Sequence, residues 1–205
     1  MDFYQVIQNR RTVREFLNTP VPQEVLERIL GAGLQAPSNN HLREWEFVVL
    51  QEQSGKENAL QYVEEWTKKQ KENGEVLSSG TPAQKMYAYA MPKQHTMLHS
   101  CPCLVLPFFK AGPKFLQPAS LNSLNSFASI WCCIENMFLA AAAEGLATSM
   151  RIPVGDEADQ VAHAVGAPEG YLMPCYIGIG YPAQNAAVLE QVECTLEHKA
   201  HWGRW

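Results

Sequence analysis

The chain lacks the glycine-rich turns that hold nucleotide phosphates. No Gly-x-Gly-x-x-Gly follows a strand-like run, so a Rossmann dinucleotide site is unsupported. Gly-x-x-x-x-Gly-Lys, His-Glu-x-x-His and Gly-x-Ser-x-Gly are also missing, which removes support for P-loop nucleotide hydrolysis, zinc-dependent hydrolysis and the usual serine esterase route. Basic charge is scarce: 16 Lys plus Arg stand against 21 Asp plus Glu, for a net charge of -5. A general nucleic-acid binder needs the opposite balance, so any anion site must be local. The 6 cysteines, among them the adjacent Cys132-Cys133 and the pair Cys101 and Cys103, fit neither a disulfide framework nor a zinc spacing. Reduced thiols and no metal site are the expectation. Met1 to Gln5 lacks the basic and then apolar regions of a signal peptide, which gives a cytoplasmic location by default.

Against this background the run Arg10-Arg11-Thr12-Val13-Arg14 is conspicuous. It follows a helix-like opening, Asp2 to Gln8, and concentrates rigid, always-charged forks that match a phosphate dianion. Pro22 to Ala36 reads as a helix with Val25, Leu26, Ile29, Leu30 and Leu34 on one stripe. It leads into Ala36-Pro37-Ser38-Asn39-Asn40-His41, a loop of hydroxyl and amide groups where proline ends the helix. Trp45 to Leu50 and Cys101 to Phe109 read as strands. Residues 55 to 74 predict an outer helix carrying Leu60, Val63 and Trp66, and residues 82 to 99 predict another.

The longest apolar run, Asn125 to Glu144, carries Glu135 near its middle. A central acid opposes membrane insertion by about 2.5 to 3.5 kcal/mol, and alanine compensates little. The run therefore predicts a helix buried inside a protein and stopped by Gly145, with no membrane span. At 205 residues the chain suffices for one domain, folding of this length burying about 70% of the unfolded surface.

These segments resemble the nitroreductase family of flavin mononucleotide (FMN) oxidoreductases. The resemblance rests on Arg10-Arg11-Thr12-Val13-Arg14-Glu15-Phe16, Pro20-Val21-Pro22, Ala36-Pro37-Ser38 and Trp45-Glu46-Phe47, in the family's order and spacing. Later, Gly145-Leu146-Ala147-Thr148, Ile152-Pro153-Val154 and Ile177-Gly178-Ile179-Gly180-Tyr181-Pro182-Ala183 continue it. The chain departs from the family at His41-Leu42-Arg43-Glu44-Trp45, where most members read Asn and then Gln-Pro-Trp. A histidine at the position of His41 occurs in the iodotyrosine deiodinase branch. Arg43 and Glu44 add a candidate ion pair beside the pocket.

The resemblance implies an α+β fold: a three-layer sandwich, with a mostly antiparallel sheet flanked by helices and a long central helix. It implies one FMN-binding domain over residues 1–205, with a C-terminal extension from about 184 to 205. On the family pattern Arg10, Arg11 and Thr12 hold the phosphate and ribityl chain, and Arg14 lies beside flavin N1 and O2. There a cation stabilises the negative charge of the reduced ring. Pro37, Ser38 and His41 lie along the cofactor, and the backbone of Ile152, Pro153 and Val154 faces N5 and O4. The family's late basic run is missing, which leaves Lys199 or Arg204 to close the phosphate site. The region between the first strand and the central helix often covers the flavin, so Tyr87, Tyr89, His95 and Met97 are candidate wall residues.

The implied activity is transfer of a hydride or electrons from NADH or NADPH, as co-substrate, to an electron-poor small molecule such as a nitroaromatic or quinone, by a ping-pong route. Reductive dehalogenation lies within the same family. Two other classes fit the same residues: a flavin sensor or store without turnover, and a non-catalytic module that binds a partner's phosphate. The central helix and the aromatic tail, with Trp202 and Trp205, imply a homodimer whose tail touches the partner subunit.

Overall fold

The computed structural model describes residues 1–73, 80–112, 115–189 and 191–205, with residues 70–73 described as backbone. Helix α1, Phe3–Asn9, starts because Asp2 and Gln5 cap each other: the Asp2 carboxylate accepts from the Gln5 N–H, and the Gln5 side chain accepts from the Asp2 N–H. The chain turns extended at Arg10 and runs beside the sheet, where the Val13 N–H donates to the Thr148 carbonyl at 2.9 Å. Helix α2 spans Gln23–Leu34 and strand β1 Trp45–Leu50. Helix α3, Gln53–Asn73, covers the expected outer helix, whose last expected residue, Gly74, lies outside the described residues.

The single helix expected over 82 to 99 is broken. Helix α4, Pro82–Ala90, opens on a Thr81–Gln84 capping box, a 3-10 turn spans Met91–Lys93, and α5 resumes at Gln94–His99. Pro92 has no N–H for the helical ladder, and the break falls there. The remaining elements are β2 (Cys103–Lys110), α6 (Asn125–Ala143), β3 (Ala147–Arg151), α7 (Glu157–Ala164), β4 (Tyr171–Leu172) and β5 (Tyr176–Gly180).

The sheet runs β1-β2-β5-β3, with β4 also on β2, and every named pair is antiparallel. Strand periodicity divides its side chains between two cores. Trp45, Cys103, Val105, Phe109, Ile177 and Ile179 pack with Ile29 of α2 and Ile130, Ile134 and Met137 of α6. Leu104, Leu106, Phe108 and Tyr176 pack with Leu60 and Val63 of α3, Met97 and Leu98 of α5, and Val161 of α7. Helices on both faces of an antiparallel sheet are the three-layer sandwich that the sequence implies.

Two expectations about packing change. Leu34 is exposed, and Gly33 faces the core instead; a Cβ there would lie 2.8 Å from Met137 Cγ, so glycine sets how closely α2 approaches α6. Helix α6 is apolar enough and long enough to cross a membrane by length and composition. Its inner face is buried against α2 and the sheet, while Ala128, Cys132, Glu135 and Ala143 form an outer, exposed row.

Candidate functional site

Arg10, Arg11, Thr12 and Arg14 line one cleft of ≈ 460 Å³, roofed by Pro82, Ala83 and Met86 of α4 and closed by Leu189, Gln191, Val192 and Cys194 of the tail. The bend after α1 and the bond from Val13 to β3 hold this segment extended. Arg10 Nε pairs with Glu135 Oε1 at 3.4 Å, and Arg11 Nη2 donates to the Leu189 carbonyl at 2.8 Å. Arg14 differs. Its Nε is buried without a hydrogen-bond partner, and burial works to lower its pKa. An anion entering the cleft would meet three guanidinium groups.

The roof is fixed to this segment by a cluster that sequence reasoning did not assemble. Tyr89 Oη donates to Glu15 Oε1 at 2.7 Å, Lys93 Nζ donates to the same oxygen, and Lys93 Nζ sits 3.9 Å from the Tyr89 ring centroid. The Arg14 guanidinium lies 6.0 Å from that centroid, within the range of a cation–π contact. Burial alone would raise the Glu15 carboxyl, but the bonds from Lys93 and Tyr89 outweigh it and hold the group below its ordinary value. Of the four candidate wall residues, Tyr89 meets the arginine segment and Tyr87 is exposed. The His95 ring lies 5.1 Å from His99. Met97 is fully buried among α3 and β2 and is a core residue; Met86 takes the place beside the cleft. The i, i+4 spacing of Tyr89 and Lys93 was the available signal.

The Pro37–His41 loop is anchored to α6. Ser129 Oγ accepts from the Asn39 N–H at 2.9 Å, and Ser38 Oγ accepts from the Arg43 N–H at 3.1 Å. Asn40, His41 and Arg43 have φ of 51, 56 and 45, in the left-handed region. Such backbone costs of order 1–3 kcal/mol per residue and persists where its surroundings over-determine it. Pro37 and His41 are exposed, and Ser38 lines a small pocket with Arg43 and Ser129. The expected Arg43–Glu44 pair does not form: Glu44 accepts from Lys110 Nζ at 3.0 Å, because β1 and β2 bring those two ends together.

Ile152, Pro153 and Val154 leave the end of β3, with Ile152 and Val154 largely exposed. Behind them Arg151 Nη2 meets Glu157 Oε2 at 2.6 Å, with both side chains buried. This pair is also absent from the sequence reading. Thr12 neighbours Thr148 of β3, so the arginine segment and the Ile152–Val154 strap share one strand as support. The arginine cleft itself is lined by neither the strap nor Ser38. Lys199 and Arg204 are exposed and do not line it either. All 6 cysteines are free, and among the described residues no cluster of His, Cys, Asp or Glu is suited to a metal. Burial pushes the Cys101 thiol up to about 11.

An iodotyrosine deiodinase of Nematostella vectensis is 25% identical over 198 residues, covering 96% of this chain and 73% of that protein. An iodotyrosine deiodinase of Haliscomenobacter hydrossis is 28% identical over 189 residues, covering 91% and 82%. The fold matches a solved iodotyrosine deiodinase bound to FMN and 3-iodo-L-tyrosine with a TM-score of 0.75 at 18% identity, over 98% of this chain and 100% of the other. The model of the nitroreductase family matches residues 7–181, from inside α1 to just past β5, and so takes in the arginine segment, the serine loop and the strap together: the chain belongs to the nitroreductase family.

Proposed function

We propose that this chain is an FMN-dependent oxidoreductase that works as a homodimer and passes a hydride or electrons from NADH or NADPH to an electron-poor small molecule. The observation that carries the reading is Arg14, whose buried Nε has no partner beside a cleft that two further arginines line. Drawing a guanidinium partly out of water is costly, and an anionic ligand in the cleft offsets the cost. One concentrated cationic site without a pyrophosphate-binding turn suits a monophosphate flavin better than FAD.

When bound, FMN supplies the acceptance and release of a hydride or electrons at its ring. The residues of the chain then bind and orient. Arg10, Arg11 and Thr12 grip the phosphate and ribityl chain, Arg14 places positive charge by the pyrimidine end of the ring, and the Ile152–Val154 strap bounds the ring edge. Among the described residues the cleft of the three arginines is lined by neither the strap nor Ser38, which supports a composite site in which a second copy contributes Pro37, Ser38 and His41. The exposed outer row of α6 and the exposed Trp202 and Trp205 support such pairing, and Lys199 and Arg204 travel with that tail. Free thiols support a reducing, cytoplasmic setting.

Heat release and chromatography of the cofactor test the reading. FMN is expected; recovery of FAD, or failure to take up added FMN, overturns it. With FMN in place, either nicotinamide should bleach the flavin anaerobically, and parallel double-reciprocal lines should appear with a nitroaromatic or quinone. A stable FMN-loaded monomer in light scattering would contradict the dimer. The iodotyrosine deiodinases that match more than nine-tenths of this chain favour one alternative acceptor class, halogenated phenols. Iodide release from 3-iodotyrosine under reducing conditions, compared with nitroaromatic turnover, decides between them.

A further inference from the structure

The Ile152–Val154 strap is an exposed apolar segment held between two buried charges. Arg151 closes β3 and is 4% exposed; Glu157 opens α7 and is 4% exposed; their side chains meet at 2.6 Å. The strap is thus cross-linked at its base. Trp66 of α3 lies 4.6 Å from the Arg151 guanidinium carbon and covers that side of the pair. The turn after the strap closes on the same acid: the Glu157 N–H donates to the Val154 carbonyl at 3.1 Å, and Glu157 Oε2 accepts from the Val154 N–H at 3.3 Å. Gly155, at φ +59, makes this return possible, since left-handed backbone disfavours a side chain.

These contacts restrict what the strap can offer a ligand. Pro153 has no N–H, and the Val154 N–H already points to a carboxylate, though over a distance at the long end for such a bond. A second acceptor in front of the strap would therefore compete with Glu157 for that donor. The carboxylate is itself only partly satisfied. Glu157 Oε1, Arg151 Nε and Tyr176 Oη are all buried without a hydrogen-bond partner. A shift of the acid toward Arg151 Nε or Tyr176 Oη would change its hold on Val154.

We propose that Glu157, held in place by Arg151, is a positioning residue for the strap, and that it sets how far the Val154 N–H is available to the flavin. The inference rests on the FMN reading above and adds a residue that lies behind the site. It distinguishes a purely structural ion pair from one that is read out at the ring.

The test uses FMN-loaded protein with nitrogen-15 at flavin N5, in three forms: unaltered, Glu157→Gln, and the double change Arg151→Met with Glu157→Leu. Replacing a buried ion pair by apolar groups of similar size is often neutral for stability, so the double variant keeps the measurement possible if the single one folds poorly. The expected result is a moved N5 resonance and a moved flavin midpoint potential in both variants. FMN affinity should change by no more than about threefold, because the phosphate grip is remote from the change. In apo protein the Val154 amide resonance should move as well. An unmoved N5 resonance and potential in variants that bind FMN would overturn the proposal and leave the pair structural. Failure of the unaltered protein to bind FMN would instead overturn the reading on which it rests.

Discussion

Two arginines, one at the end of β3 and one on the segment beside it, have been drawn wholly or partly from water and treated oppositely. Arg151 is met within the chain: Glu157 accepts its charge at 2.6 Å and Trp66 covers it. Its Nε lacks a partner, yet the charge of the group is neutralised on the spot. Arg14 has the Tyr89 ring at 6.0 Å and its chain neighbour Glu15 close by, and that carboxylate is already engaged by Lys93 and Tyr89. Arg14 is left with positive charge and an open donor beside a cleft. A buried pair closed by the protein holds a backbone in shape; a half-buried charge left open is matched by something that arrives from outside.

Breaking the closed pair should have the largest effect on the empty protein. Glu157→Ala leaves Arg151 charged and unmatched, and the loss of unfolding free energy should be about 3 to 5 kcal/mol. Chemical denaturation of apo protein measures it, with Arg14→Ala as the comparison; an equal loss for the two would erase the distinction. The order should reverse for the cofactor. Arg14→Ala and Arg10→Ala each remove a charge-assisted contact of about 1.5 to 3 kcal/mol, roughly a 10- to 150-fold loss of FMN affinity. The Arg14 variant should also lower the flavin potential. Titrations with unchanged affinity in both variants would remove the site.

The smallest effects belong to the roof. Tyr89→Phe deletes one donor to Glu15 and should cost about 0.5 to 1.5 kcal/mol, with α4 becoming more open to hydrogen exchange. Its pH dependence has a definite sign. The folded Glu15 carboxyl is held below its ordinary value, so its contribution is present above the unfolded pKa of about 4.3 and fades as pH falls through the folded one. For Lys93 burial works downward, but the bonds to Glu15 and Tyr89 prevail and raise it; its contribution is complete below about 10.4 and is lost as pH rises through the raised value. Exchange rates in α4 that stay level down to strongly acidic pH would show that Glu15 does not fasten the roof.

The elements were largely legible. Short apolar runs rich in aromatic and β-branched residues marked β1 and β2, a longer apolar run marked α6, and each lies within two residues of where that patterning put it. The 82 to 99 helix was overextended because a stripe of methionines and tyrosines continues through Pro92, whose missing N–H interrupts the ladder without interrupting the pattern. Leu34 was read as core because it continues the helical stripe of Val25, Leu26, Ile29 and Leu30, whereas the contact with α6 selects Gly33 for closeness. In the site, Arg10 to Arg14 stood out as a local cluster. Glu15 and Tyr89, 74 positions apart, did not, nor did Glu157, one of two acids in the first turn of α7.

The sequence by itself determined the sandwich of helices and sheet, the family and the arginine segment, since caps, alternation and clustered charge act over a few residues. Only the tertiary structure decided which arginine is closed and which is open. That outcome depends on the non-sequential strand order β1-β2-β5-β3, on α4 folding back over residues 10 to 15, and on Trp66 reaching Arg151, and burial assigns each charge its partner only after those distant segments meet.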